Sequence, residues 1–282
     1  MSVDAAGLEI GASKAMSERD YFLKARKEFE KKHEFIVRIF RGVGTQNVEP
    51  RRAWANLLFF RLGMVGNTLL TLCIPEILNQ KAGSTDASIL DHSSIATLAR
   101  NLLETWMMFS YVSELAISEE EWLRRRAVLE LHDVTARYRV LKAIGDRQTK
   151  EAQLFHDKMS ILRKTIASDP VFQNLDTKSK DDIREGRSPF IYGRNAVVRE
   201  AGWDVDHFTA MYAALSSHAH CGSASFYRAA LHPDEPAPGI ASDYQYMVSG
   251  LAFEYATEPL GLACERMFHL YPKIFLADET KH

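Results

Sequence analysis

Cysteine is scarce in this chain: its 282 residues include three cysteines, and no two are close enough to form a CxxC motif. Zinc fingers use paired cysteines at that spacing, and small secreted proteins carry an even, dense set of disulfide-forming cysteines. The sequence disfavours both classes and indicates a reducing, cytoplasmic compartment. The three cysteines are Cys73, Cys221 and Cys264.

Long apolar runs and an excess of one charge sign are also missing. The most apolar window, residues 62–78, contains Gly63, Gly66, Asn67 and Pro75 and is shorter than a bilayer-spanning helix. The first residues lack a basic region followed by an apolar core, so no signal peptide is expected. The formal net charge is -2, so no overall field attracts nucleic acid or an anionic membrane. We expect a soluble protein with no membrane partner, in which net charge does not indicate a nucleic-acid partner.

Strand patterns and glycine-rich nucleotide motifs do not occur. No segment alternates apolar and polar residues with a period of two, and there is no Walker loop, Rossmann fingerprint or GxSxG elbow. Apolar residues recur instead at helical spacing along most of the chain. The sequence predicts an all-α fold: an irregular bundle of six to eight helices in a single domain over residues 14–282, preceded by a flexible tail over residues 1–13.

Capping residues, glycines and prolines delimit the predicted helices. Ser17–Asp20 and Ser118–Glu121 have capping sequences, and Asp206 is the predicted N-cap of the sixth helix. Residues 171–205 are expected to be irregular apart from a short helix over 178–185, and a long connection of this kind is typically functional or mobile. The main helices are predicted over residues 17–40, 51–78, 93–113, 118–144, 206–221 and 242–270. A further polar helix is predicted to follow Gly145–Asp146 and to end at about Ser168, and a loop is predicted over 79–91.

The densest group of reactive side chains lies between Tyr212 and Gly222. Tyr212, Ser216 and His220 are spaced four residues apart, so a helix stacks them along one face. The other positions of this helix are small or apolar, which predicts a central location in the bundle. Buried polar groups need partners, because an unpaired one costs about 1–3 kcal/mol. Two interpretations are open: the three side chains satisfy one another and nearby carbonyls, or they bind a ligand.

The third predicted helix offers a counterpart to this stripe. Arg100 and Glu104 are the only charged residues between positions 93 and 113, and their i,i+4 spacing allows them to pair. Thr97, Asn101 and Thr105 share the same arc, which is also what a solvated helix face looks like. A solvated face usually carries several Lys or Glu residues, however. We therefore predict an internal polar face that opposes the stripe.

These two segments resemble a family of bacterial helical proteins defined by a domain of unknown function. Its members have an Arg-x-x-x-Glu helix and a later Leu-Ser-x-x-x-His-Gly type motif. The resemblance covers about residues 53–222 and implies an all-α fold with a polar centre, with no established chemistry. The matching positions are Arg100, Glu104, Ser216 and His220, while Cys221 stands before Gly222 where the family motif has no such residue.

Metal binding is a weaker hypothesis. His218, His220 and Cys221 are ligand types that suit zinc, but residues 218 and 220 point to different faces of a helix. Glu30 and His33 have the Glu-x-x-His spacing of di-iron bundles, yet we expect them on a lysine-rich surface. We predict no metal and no other cofactor, and we regard His218 and Cys221 as bystanders.

A nuclease is a further alternative, because the chain also faintly resembles HEPN-type ribonucleases of toxin and defence systems. These enzymes use an Arg and a His separated by four to six residues, and three pairs in this chain meet that spacing. Such matches arise readily by chance. The pairs are Arg126 with His132, Arg125 with His132, and Arg26 with His33.

The basic triplet Arg124–Arg126 has a simpler explanation, as a solvated, salt-bridging helix face that follows Glu119–Glu121. A ribonuclease with sensible chemistry uses Arg100 to stabilise phosphate charge and His220 for proton transfer.

The leading hypothesis is a polar pocket between the third and sixth helices that binds a small anionic or nucleotide-like ligand. Arg100 grips the anion, Glu104 orients Arg100 or His220, and His220 exchanges a proton, so these three are the candidate catalytic residues. Tyr212 and Ser216, with Arg100, are the candidate ligand-binding residues.

The main alternative is a non-enzymatic module. In it the same residues form a structural network, and the first helix and the Arg124–Arg126 helix contact a partner, with a homodimer through amphipathic helices as one form. The sequence does not decide whether the protein is an enzyme.

Overall fold

The computed structural model describes residues 16–44, 48–73, 90–145, 149–219 and 241–272. Within these ranges every regular element is a helix, which confirms the all-α class. The ten helices exceed the six to eight predicted, because the connection over 171–205 holds two short helices beyond the expected one. They are α1 (Glu18–Val43), α2 (Pro50–Thr71), α3 (His92–Ser113), α4 (Glu119–Ala143), α5 (Lys150–Ala167), α6 (Pro170–Gln173), α7 (Thr177–Arg184), α8 (Arg194–Glu200), α9 (Val205–Ala219) and α10 (Asp243–Leu270).

Side-chain caps fix the starts of several helices. The Ser17 and Ser118 hydroxyls each accept a backbone N–H from three residues further on, at 3.1 Å, as predicted. The prediction for α9 was wrong: Asp204, not Asp206, accepts the His207 N–H, at 2.7 Å. A cap accepts from a donor two or three residues on, and Asp206 already lies inside the first turn.

Some predicted features fall outside the described residues. Helix α2 ends at Thr71 with Leu72 as its C-cap, so it is shorter than the helix predicted to reach Leu78. Most of the predicted 79–91 loop lies outside the described residues. The same holds for residues 1–13 and for the end of the sixth predicted helix beyond Ala219.

Helix α3 lies at the centre of the main core. It contacts α2, α9 and α10, and 14 of its 22 residues are buried, so only a narrow arc of the helix can carry polar side chains. Helix α1 packs along α10, where the rings of Phe22 and Phe29 lie 5.9 and 5.3 Å from that of Phe253.

A second, smaller hydrophobic cluster lies between α4, α5 and the short helices α6 and α7. It buries large aliphatic and aromatic side chains: Val128, Leu131, Val134, Met159, Ile166, Phe172, Ile183 and Ile191.

Arg125 connects α4 to the main core. Its side chain is only 6% exposed, and it donates hydrogen bonds to the Tyr111 carbonyl in α3 at 2.9 Å and to Glu200 in α8 at 2.6 Å. A third bond joins it to Glu121 at 3.0 Å. The predicted solvated face is therefore wrong at Arg125, because the side chain is inserted between three helices.

Its two neighbours do form the expected salt bridges. Arg124 pairs with Glu121 and with Asp169 at the start of α6, and Arg126 pairs with Glu130 at 2.7 Å.

None of the described helices combines the length and the apolar character that crossing a membrane requires.

Removing the Arg125 side chain should destabilise the protein far more than removing that of its neighbour. Arg125→Ala leaves Glu200 and a buried carbonyl without their donor and removes one of the two arginines that bond to Glu121. We therefore expect the free energy of unfolding to fall by roughly 3 kcal/mol. Arg126→Ala removes a half-exposed pair and should cost less than about 1 kcal/mol. Urea unfolding measures both, and equal losses would show that Arg125 does not join the two clusters.

Candidate functional site

Helices α3 and α9 meet through three polar side chains. Arg100 donates from Nε to Glu104 at 3.2 Å and from Nη2 to the Tyr212 hydroxyl at 2.8 Å. The Tyr212 hydroxyl donates in turn to Glu104 at 2.5 Å. Three of the residues proposed from sequence thus form a closed hydrogen-bonded ring. Most of the surface of α3 is buried against apolar neighbours, so Arg100 and Glu104 lie on the side of α3 that faces α9.

The Tyr212 phenol is a donor in this ring and stays protonated. Partial burial and the hydrogen bond to Glu104 raise its pKa above the ordinary 10.0, and Arg100 opposes them only in part. At neutral pH the phenol therefore donates a hydrogen bond to Glu104 and accepts one from Arg100, and it is not a nucleophile.

The rest of the predicted stripe behaves differently. The Ser216 hydroxyl donates to the backbone carbonyl of Tyr212 at 2.6 Å, which is a bond within its own helix. His220 lies outside the described residues. The structure thus brings Arg100, Glu104 and Tyr212 together, while Ser216 makes the structural contact of the first interpretation.

The expected central position of α9 is wrong. Its alanines Ala210, Ala213 and Ala214 are exposed, and it buries only one face, formed by Phe208, Met211, Leu215 and His218. Alanine allows close helix approach but does not require it, so an alanine-rich face is a poor indicator of burial.

A cleft of about 440 Å³ opens beside the ring, between α2, α3, the chain before α8 and α9. Glu104 and Tyr212 line it, whereas Arg100 does not. Its floor is the polar arc of α3, and its apolar lining comes from Leu58, Met107, Met108, Pro189 and Phe190.

The chain before α8 is held on α3 by two contacts of Tyr111. The Tyr111 hydroxyl accepts the Ile191 N–H at 3.3 Å, and its ring packs edge-on against Phe190 with centroids 5.1 Å apart. Gly193 then adopts a φ of 76°, a conformation that glycine favours, and α8 starts at Arg194. This turn places both Phe190 and Arg194 at the cleft.

Two arginines line the cleft without a carboxylate partner. Within the part of the chain that the structure describes, neither Arg61 nor Arg194 forms an ion pair. The Arg194 guanidinium carbon lies 4.8 Å from the ring centroid of Tyr212 and 5.8 Å from that of Phe208, so aromatic faces hold it. Among the described residues Glu104 is the single carboxylate in the lining, so the two arginines leave this part of the cleft positive on balance.

Asn101 lines the cleft, but its side-chain oxygen is turned away from solvent and has no partner among the described residues. The neighbouring Thr105 hydroxyl does not donate a hydrogen bond to this oxygen, because it donates to the Asn101 backbone carbonyl at 2.8 Å.

The other sequence candidates occupy structural positions. Arg26 pairs with Glu30, and His33 is buried with Nε2 2.8 Å from the Gly63 carbonyl, so His33 does not lie on the lysine-rich surface that was expected for it. The Arg126 side chain is held by Glu130, while partial burial lowers the pKa of His132.

Among the described residues, no three His, Cys, Asp or Glu side chains come close enough to hold a metal ion. His218 is buried, and its ring centroid is 5.7 Å from that of His92 and 6.0 Å from that of Tyr244. Cys221 lies outside the described residues.

Sequence reasoning missed Arg61, Phe190 and Arg194. The length of the 171–205 connection signalled a functional segment, but nothing local identified Arg194 as its cationic residue. Arg61 stands at the entrance to the most apolar window, and only the packing of α2 on α3 turns it toward the cleft.

No family model, no curated protein and no solved structure matches this chain. The family resemblance inferred from the motifs therefore stays a prediction.

Tyr212→Phe should remove the junction of the ring and weaken the protein by about 1 kcal/mol at pH 7. The raised pKa of Tyr212 means that the native state holds this proton more tightly than the unfolded chain does. The stabilisation is therefore complete below pH 10 and is lost as the pH rises through the native-state pKa. Urea unfolding should show a gap between wild type and variant that shrinks above pH 10.

Tyr192→Phe is the matched control, since that side chain is 55% exposed and its loss should have little effect. A gap for Tyr212→Phe that stays constant between pH 7 and 11 would contradict this account.

Proposed function

We propose that the cleft binds a small anionic ligand of nucleotide size. The observation that carries the proposal is the pair Arg61 and Arg194, two guanidinium groups that line one cleft and have no carboxylate partner among the described residues. Arginine presents a planar fork of donors that matches phosphate and carboxylate oxygens. An anion between these two side chains supplies the charge that the protein itself does not.

The size and lining of the cleft agree with this ligand class. A volume of about 440 Å³ lies in the range of small-molecule sites, which typically combine apolar walls with a few polar groups. Phe190 and Met108 offer an apolar surface for a flat ring, and Asn101 and Thr105 form a neutral floor.

In this proposal Arg100 and Glu104 act through Tyr212. The hydrogen bonds of the ring fix the Tyr212 side chain, and the Tyr212 ring in turn holds the Arg194 guanidinium 4.8 Å away. Arg100 is thus a positioning residue, and Arg61 and Arg194, rather than Arg100, contact the anion. Ser216 makes a hydrogen bond within α9 and does not contact the ligand in this proposal.

Binding is better supported than catalysis. Glu104 is the only acid that the described residues contribute to the cleft lining, and it already accepts hydrogen bonds from Tyr212 and Arg100. Proton transfer by His220, and with it a ribonuclease of the HEPN type, requires that residue to reach the cleft. A partner-binding module predicts instead that the cleft takes no small anion.

Isothermal titration calorimetry with AMP, GMP, CMP, UMP and inorganic pyrophosphate tests the proposal. At least one of these probes should bind, and Arg194→Ala and Arg61→Ala should each weaken it about tenfold or more, because each removes a charge-assisted contact worth about 1.5–3 kcal/mol. Arg199→Ala is the matched control: Arg199 is exposed on the same helix as Arg194 and does not line the cleft.

The other functions predict different outcomes. Absence of binding by every probe, or equal weakening by Arg194→Ala and Arg199→Ala, would rule out the proposed site. RNA cleavage that His220→Ala abolishes without changing the unfolding midpoint would favour the ribonuclease instead.

A further inference from the structure

A second cavity lies where α4 and α5 meet the end of α7. Its volume is about 270 Å³, and it shares no lining residue with the cleft. Three cationic side chains line it: Arg139 and Lys142 on α4, and Arg163 on α5. None of the three forms an ion pair with a carboxylate of the described residues, so their positive charge is not compensated by the protein.

Backbone oxygens, rather than carboxylates, hold the two arginines in place. Arg139 donates from Nη2 to the Glu185 carbonyl at 2.7 Å, and Arg163 donates from Nε to the Arg184 carbonyl at 2.9 Å. The last carbonyls of a helix have no partner within it, so these two bonds also complete the end of α7. A guanidinium group has five N–H donors, and each arginine therefore keeps further donors for a ligand. The two side chains are ordered on consecutive carbonyls without being neutralised.

Capping of α7 does not account for all of this charge. The C-terminus of a helix carries the equivalent of about half a negative charge, which is less than the charge of two guanidinium groups. Lys142, in the last turn of α4, is exposed and takes no part in the cap. Among the described residues Glu185 is the single carboxylate in the lining, and it is already paired with Arg187. This part of the cavity is therefore positive on balance.

We propose that this cavity binds a small free anion of the phosphate class, such as pyrophosphate. Arginine forks and a lysine ammonium group are the side chains that pair with phosphate oxygens. The cavity is smaller than the roughly 300–1,000 Å³ of typical small-molecule sites, so it suits an anion without a large organic part. This second site lies apart from the cleft and does not rest on the proposed function.

Titration of the wild-type protein with pyrophosphate, followed by ¹⁵N NMR of the arginine side chains, tests the second site. The Nε resonances of Arg139 and Arg163 should shift together and saturate with one dissociation constant, because both side chains line the cavity. Sodium chloride at matched ionic strength should not reproduce these shifts. Arg137 is the internal reference: it is exposed on the same helix, pairs with Asp133 and lies outside the cavity lining.

Lys142→Ala weakens the site without removing a bond of the α7 cap. It should raise the dissociation constant measured at Arg139 and Arg163 about threefold, as expected for one exposed ionic contact, and leave the unfolding midpoint unchanged. Lys164→Ala is the matched control, since Lys164 is exposed on α5 beside Arg163 and does not line the cavity. Equal weakening by the two variants would reduce the effect to general surface charge and overturn the site.

The second site and the cleft succeed or fail separately in this experiment. Saturating shifts of Arg139 and Arg163 that persist in Arg194→Ala support the second site, whether or not the cleft binds an anion. Absence of these shifts at millimolar pyrophosphate overturns the second site and leaves the cleft unaffected. Ribose 5-phosphate that binds more tightly than pyrophosphate at these two arginines would overturn the assignment of a free anion.

Discussion

Helix α3 packs against α2, α9 and α10, and this burial restricts where its polar side chains can lie. Arg100, Asn101, Glu104 and Thr105 all fall in the one arc that the apolar contacts leave. Part of the arc meets Tyr212 of α9, and part forms the floor of the cleft. The ring and the cleft are thus two consequences of the same packing, and a change in the position of α9 alters both.

The short helix α8 carries this arrangement to the cleft wall. It spans only Arg194–Glu200, and residues at both of its ends contact other helices through arginine side chains. At its end, Glu200 accepts a bond from the buried Arg125, while at its start Arg194 lies beside Tyr212. Arg125 therefore stabilises more than the junction of two hydrophobic clusters, since it also holds the helix that presents a ligand-facing cation.

Local sequence patterns predicted the structural features that depend only on residues close to one another in the chain. The helical class, the caps at Ser17 and Ser118 and the i,i+4 pair of Arg100 with Glu104 all follow from spacing, and all are present. Contact of that pair with Tyr212 was inferred because polar groups on packed helices need partners.

Features set by tertiary packing could not be derived in this way. Arg61 and Arg194 are separated by more than a hundred residues, and nothing in their own segments marks them as members of one cleft. The face of α9 was misjudged because alanine is compatible with burial and with exposure. Arg125 looked like its two solvated neighbours, and only the positions of α3 and α8 make it buried.

The most direct test is ¹⁵N NMR of the arginine side chains during titration with AMP. We expect the Nε resonances of Arg61 and Arg194 to shift together while that of Arg199 does not. Shifts confined to other arginines would contradict an anion site between Arg61 and Arg194.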